Sequence, residues 1–240
     1  TLEELDKIYE ITGTTAIQSI YPLSPMQEGI LFQTIYNRET GAYWEQIRFQ
    51  LDGPLNVGLL RESFYRLIAR QDIFRTAFVY EGIDSPRQVV LKKREACFVF
   101  EDLSQMNGEE QSERVFDYTR MEKTEGCHLV HDALVRLTVF QTGESRYRVL
   151  WSNHHLLLDG WCLGLVFREL FEVYRDLCIG TASCLEAVPP YGDYIRWLQT
   201  RDKEEAADYW QNYLEDYTGP AVLPKRRSEA GDTPQEQDEI

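Results

Sequence analysis

Residues 134–177 confine the possible folds more than any other stretch of the chain. Leu134 to Gln141 and Tyr147 to Asn153 alternate apolar and polar side chains, and Thr142-Gly143-Glu144 between them is a hairpin signal. The period then changes. Leu163, Val166, Phe167, Leu170, Val173, Tyr174 and Leu177 fall on one face of a helix predicted over 161–177. A hairpin with one apolar face and a helix with one apolar stripe must each find cover, so helices packed on a sheet are required.

The flanking segments extend this pattern. Ser24 is placed to cap a helix over 25–36, with Pro25 at its first position. Tyr43 to Leu51 reads as a strand with Ile47, Phe49 and Leu51 on one face. Asn56 caps a helix over 57–71 that buries Leu60, Phe64, Leu67 and Ile68. Strands are expected at 75–80, 88–91 and 97–101. A helix thin in apolar residues is expected at 109–123, on the surface. Helices at 191–199 and 202–217 close the body, the last with an aromatic stripe of Tyr209, Trp210, Tyr213 and Tyr217 that reads as core or interface. Strands and helices do not strictly alternate, so the expected class is α+β, a two-layer sandwich with helices on a mostly antiparallel or mixed sheet. The packed body should span Ser19 to Tyr217. Residues 1–18 read as a linker or loosely docked helix, and residues 218–240 as a linker ending in a disordered acidic tail.

Composition excludes several classes of partner. With 240 residues, 25 Lys plus Arg and 40 Asp plus Glu, the net charge is −15. That argues against a nucleic-acid backbone or an anionic membrane as the partner. Neither a signal peptide nor a spanning apolar run is evident. Cys97, Cys127, Cys162, Cys178 and Cys184 are odd in number and contain no C-x-x-C pair, which fits reduced thiols and a cytoplasmic chain.

The stretch with most chemistry is Ser152-Asn-His154-His155-Leu-Leu-Leu-Asp159-Gly160-Trp161. Adjacent residues of a strand point to opposite faces, so one histidine should enter the core and the other a cleft. Such a pair cannot easily chelate one metal ion. The three leucines suggest that Asp159 is buried, and a buried carboxylate needs a cation or several donors. Gly160 allows close backbone approach, and the helix start behind it offers amide donors. Cys127, His128, His131 and Asp132 form a second cluster. It could bind zinc, but the alternation from Leu134 onward reads more simply as a loop entering a strand.

Four segments carry a family resemblance. They are Tyr21-Pro-Leu-Ser-Pro-Met-Gln-Glu-Gly29, Arg70-Gln-Asp-Ile-Phe-Arg75-Thr76, His154 to Gly160, and Tyr191-Gly-Asp-Tyr-Ile-Arg-Trp197. In this order they resemble the motifs of the N-terminal lobe of condensation domains from nonribosomal peptide synthetases, within the chloramphenicol-acetyltransferase-like fold. The third matches the His-His-x-x-x-Asp-Gly signature in full. The second departs at Gln71, where the family usually has histidine.

The resemblance implies peptide-bond formation between two thioesters carried on the phosphopantetheine arms of carrier domains, with no cofactor or metal held by this lobe. It implies that His155 is the catalytic base or the residue that positions the amine, that His154 is structural, and that Asp159 pairs with an arginine, Arg75 first or Arg70. Gly160 joins the site, while Trp161 and Trp197 are expected to pack. It also implies carrier domains and a C-terminal lobe as partners, with His155 on a face that the second lobe would cover. The opening motif and Trp161-Cys162 look like the subtype accepting a donor with a D-configured residue. A stand-alone CoA-dependent acyltransferase and a non-catalytic carrier-docking lobe are the alternatives.

Overall fold

The computed structural model describes residues 1–37, 41, 43–181 and 185–219. The expected tail over 225–240 and Cys184 lie outside them. Two compact units are present, Thr1–Gln199 and Thr200–Ile240.

The first unit is built on two sheets. Strands β2 (Trp44–Asp52), β5 (Cys97–Asp102), β6 (Val135–Gly143) and β7 (Arg146–His154) form a four-stranded sheet in the order β2-β7-β6-β5. β7 runs antiparallel to both neighbours, and β5 and β6 are parallel. Strands β1 (Ile17–Pro22), β3 (Thr76–Val79) and β4 (Arg87–Leu91) form a three-stranded antiparallel sheet in the order β1-β4-β3. The α+β class and the mixed sheet are as expected. Strand β1 adds to the expected elements; it is held in register by β4 from Ile17 opposite Leu91 to Pro22 opposite Arg87.

The two faces of the larger sheet are covered differently. Leu137, Val139, Val149 and Trp151 point into the main core. Helix α3 (Val57–Arg70) supplies Leu60, Phe64, Leu67 and Ile68 to that core, and helix α5 (Gly160–Cys178) supplies Val166 and Leu170. Trp151 is at its centre, with edge contacts to Phe64 at 5.9 Å, Phe74 at 6.3 Å and Phe167 at 5.3 Å between ring centroids. Such aromatic edges add to the area term of burial. The alternate residues Phe140 and Leu150 turn the other way and meet Val115 and Tyr118 of helix α4 (Gly108–Glu125). The strand period of two thus assigns each side chain to its layer, and α4 adds a partial third layer.

Helix α1 (Leu2–Thr12) does more than link. Thr1 caps it, Gly13 ends it in a left-handed conformation, and Ile8 is buried with Ala77, Val79 and Val89 of the smaller sheet. The first compact unit therefore takes in residues placed outside the body by pattern alone. Helix α2 (Pro25–Tyr36) begins with the expected Ser24 cap, completed as a capping box by Gln27. Helix α6 (Tyr191–Gln199) has the expected bounds. Helix α7 (Lys203–Leu214), in the second unit, has no buried residue, and its stripe of Tyr209, Trp210 and Tyr213 is exposed. Tyr209 and Tyr213 stack at 6.0 Å and Trp210 meets both edge-on, so the stripe satisfies the helix period without a buried residue. Among the described residues, no helix is long and apolar enough to cross a membrane.

Phe64→Ala is expected to lower unfolding stability by about 3–5 kcal/mol, because a fully buried ring is lost next to Trp151. Tyr213→Ala should change it by less than about 0.5 kcal/mol, because that side chain is exposed. Urea titration of both variants checks the contrast.

Candidate active site at the end of strand β7

β7 ends at His154, opposite Trp44 of β2, and the chain turns immediately. The turn is fixed by its backbone: His154 N donates to Leu134 O at 2.9 Å, His155 N to Tyr43 O at 2.9 Å, and Leu157 N to His154 O at 3.0 Å. Leu156, Leu157 and Leu158 are buried and pin the loop to the main core.

The two imidazoles part as the strand requires. His154 is 3% exposed. Its Nδ1 accepts from Leu156 N at 3.1 Å, so that nitrogen carries no proton. Its Nε2 lies 3.4 Å from Thr34 Oγ1 of α2. Burial, with His155 alongside, lowers its pKa from 6.5 to about 4. His154 is therefore neutral, with its Nδ1 engaged in holding the loop. A cavity of about 250 Å³ lies on its side, lined by Thr34, Tyr43, Trp44, Cys127 and Leu129 among others.

The His155 side chain is 29% exposed. Its Nδ1 lies 2.7 Å from Glu45 Oε1 of β2. Glu45 Oε2 also accepts from Asn153 Nδ2 at 3.3 Å. Among the described residues, His155 Nε2 has no hydrogen-bond partner. Glu45 had no place among the expected site residues. Its only sequence signal is an acid inside an alternating strand, and its partner is 110 positions away.

Asp159 requires a correction. It is exposed, and among the described residues it pairs with no arginine. Its Oδ1 accepts from Trp161 N at 3.0 Å and Cys162 N at 3.2 Å, capping α5. The leucines bury themselves, but the chain re-emerges before Asp159, and a carboxylate at a helix N-terminus is satisfied by the amides and the dipole. Those two amides are thereby committed to Asp159, so neither is a free donor for an oxyanion. A Cβ on Gly160 would meet nothing within 4 Å. Trp161, expected to pack, is 92% exposed in this chain. Trp197 is half exposed and stacks on Tyr194 at 5.9 Å.

The arginines serve elsewhere. Arg75, nearly buried, donates through Nη2 to Asp72 Oδ1 at 2.6 Å, through Nη1 to Gln18 Oε1 at 2.9 Å, and to Leu91 O. It clasps β1, β4 and the 3-10 turn Asp72–Arg75. Arg70 pairs with Glu169 of α5 at 3.4 Å, and Gln71 donates to the same carboxylate at 2.8 Å. This segment ties α3 to α5.

The remaining motifs converge on the histidine loop. Gln27 Oε1 accepts from Ser24 N at 3.0 Å, and its Nε2 donates to Gln88 Oε1 and to Leu156 O, both at 3.0 Å. Tyr21 meets Tyr191 at 6.3 Å. A Cβ on Gly192 would lie 3.1 Å from the Tyr21 ring, so the fourth motif packs closely on the first there.

The second polar cluster is a loop. His128 N donates to Asp132 Oδ2 at 2.7 Å, His128 Nδ1 accepts from Val130 N at 3.3 Å, and the His128 and His131 rings stack at 4.6 Å. Burial raises the Cys127 thiol pKa to about 12. No group of metal-ligating side chains occurs among the described residues.

Strands and helices together define an α+β fold of the chloramphenicol-acetyltransferase-like kind. The family model "Condensation domain" matches residues 17–240. Tyrocidine synthase 2 of Brevibacillus parabrevis is 41% identical over 88% of this chain, and bacitracin synthase 1 of Bacillus licheniformis is 39% identical over 93%. The chain spans only 6% of the length of the first relative and 4% of the second. A starter condensation domain of rhizomide synthetase, solved with C8-CoA, superimposes with a TM-score of 0.79 at 16% identity, over 95% of this chain and 51% of that one. This chain belongs to the condensation-domain family.

Two outcomes follow from these positions. The folded pKa of His154 lies below its unfolded value, so the unfolded state binds more protons between about pH 6.5 and 4. Its contribution is therefore intact above that window and falls by ~3 kcal/mol as pH drops through it. Denaturation across pH should show a loss of this kind that His154→Asn reduces. Asp159→Ala should cost only about 1 kcal/mol, the value of a helix cap, and not the ~3–5 kcal/mol of a broken buried ion pair; thermal melting distinguishes the two.

Proposed function

We propose that this chain is the donor-side, histidine-bearing lobe of a nonribosomal peptide synthetase condensation domain. In the completed domain the acceptor's α-amine attacks the donor's thioester carbonyl, both held on carrier phosphopantetheine arms. The tetrahedral intermediate collapses with loss of the donor arm's thiolate, leaving the lengthened peptide on the acceptor arm. Tethering supplies effective concentration, and a neutral imidazole can take or orient the amine proton.

One observation carries this reading. The complete His-His-x-x-x-Asp-Gly signature stands at a strand end with His154 buried and neutral, and with His155 partly open, its Nε2 unoccupied among the described residues. Open space in front of Gly160 supports approach of a substrate there. Exposed Trp161 and Leu165 on α5 support a missing wall, which the C-terminal lobe supplies. The chain's span of about half the solved domain agrees with that. The donor-side carrier domain and the C-terminal lobe are the partners, and this lobe holds no cofactor of its own. The Tyr21–Gly29 opening and Trp161-Cys162 favour a donor ending in a D-configured residue.

His155→Ala in a domain completed with its second lobe should lower dipeptidyl-carrier formation at least about 100-fold. Turnover equal to that of the unsubstituted domain would overturn the assignment. The 240-residue chain alone is expected to yield no dipeptidyl carrier.

A further inference from the structure

We propose that Glu45 is a positioning residue that sets the tautomer of His155. The inference rests on His155 serving the condensation reaction. A neutral imidazole has one N–H and one lone pair, and its hydrogen-bond partner decides which nitrogen has which. A carboxylate accepts only, so the 2.7 Å contact from Glu45 Oε1 places the proton on Nδ1. The lone pair then resides on Nε2, the nitrogen without a partner among the described residues. That is the state a base or an amine acceptor needs.

Three features build the arrangement. Glu45 lies opposite Asn153 in the β2–β7 register, one position before the histidine pair. Asn153 Nδ2 reaches Glu45 Oε2 at 3.3 Å, and Asn153 Oδ1 accepts from the buried Trp151 Nε1 at 2.9 Å. The carboxylate is thus referred back to the centre of the core. The His155 backbone is held independently through Tyr43 O at 2.9 Å. The charge on Glu45 also favours the imidazolium that forms once a proton is taken, as a carboxylate behind a histidine does in other acyl-transfer sites. His154 cannot substitute, since its Nδ1 lone pair is committed to Leu156 N.

Two measurements test the proposal. The first is the pair of imidazole ¹⁵N shifts of His155 in this chain, recorded at a pH where the ring is neutral. The expected result is a protonated Nδ1 and an unprotonated Nε2, with Glu45→Ala moving the population toward the Nε2–H form. A wild-type ring protonated at Nε2, or a tautomer unchanged in Glu45→Ala, would overturn it. The wild-type spectrum decides even where the variant does not fold.

The second is dipeptidyl-carrier formation by the completed domain. Glu45→Ala should lower kcat at least about tenfold with the KM for either loaded carrier unchanged. It should add little in a His155→Ala background, because the two act as one unit. A Glu45→Ala rate equal to wild type, where His155→Ala is inactive, would also refute the role. Full activity of His155→Ala would instead defeat the function proposed for His155, while the tautomer spectrum would still decide what Glu45 does.

Discussion

Neighbouring side chains of an extended strand must leave on opposite faces, and the site depends on that rule at residues 154 and 155. One imidazole is sent inward, loses its charge and becomes part of the scaffold. The next is sent outward and keeps a nitrogen for chemistry. Their different fates come from one bond's difference in direction. A slip of one residue in the β2–β7 ladder would exchange them and would also move Trp151 out of the core. The aromatic contacts around Trp151 therefore guard the register as well as contributing stability.

A polar assembly supports the other side of the same strands. Glu122 of α4 is almost fully buried; it accepts from Gln46 Nε2 at 2.9 Å and from Ser152 Oγ, with Arg136 Nη1 at 3.8 Å. The Arg136 guanidinium in turn lies 4.7 Å over the Trp44 ring. A buried carboxylate of this kind adds little net stability but is costly to leave unpartnered, so it specifies position more than it strengthens the fold. This accounts for α4, whose apolar face is thin: its docking uses one buried charge where other helices use leucines.

Legibility in the sequence followed the range of the interactions. The bounds of α2 and α6 were readable because a local signal, such as the proline and cap of α2, decides them. The strands of the hairpin were readable because Leu137, Val139, Val149 and Trp151 recur at a spacing of two, while Phe140 and Leu150 interrupt the polar alternation to meet α4. Asp159 was misjudged because burial was inferred from its leucine neighbours, while the turn after His155 returns the chain to solvent within four residues. Glu45 left almost no trace, since its importance arises from cross-strand register over 110 positions. In the aromatic stripe of α7, read as core or interface, a helical period is present with no buried residue to match it, so the core alternative falls.

Gln27 has a consequence for how the two sheets are coupled. Its amide joins Gln88 of the smaller sheet to the carbonyl of Leu156, just beyond the last strand of the larger one. The loop bearing His155 is thus fastened across the seam between the sheets. An amide of this length offers an oxygen to cap α2 and two N–H groups to span the gap, whereas a glutamate would set acceptor against acceptor. Shear of one sheet past the other would reach Leu156 directly, one residue from His155. The site is therefore mechanically a property of the junction, and only the chemistry belongs to the strand.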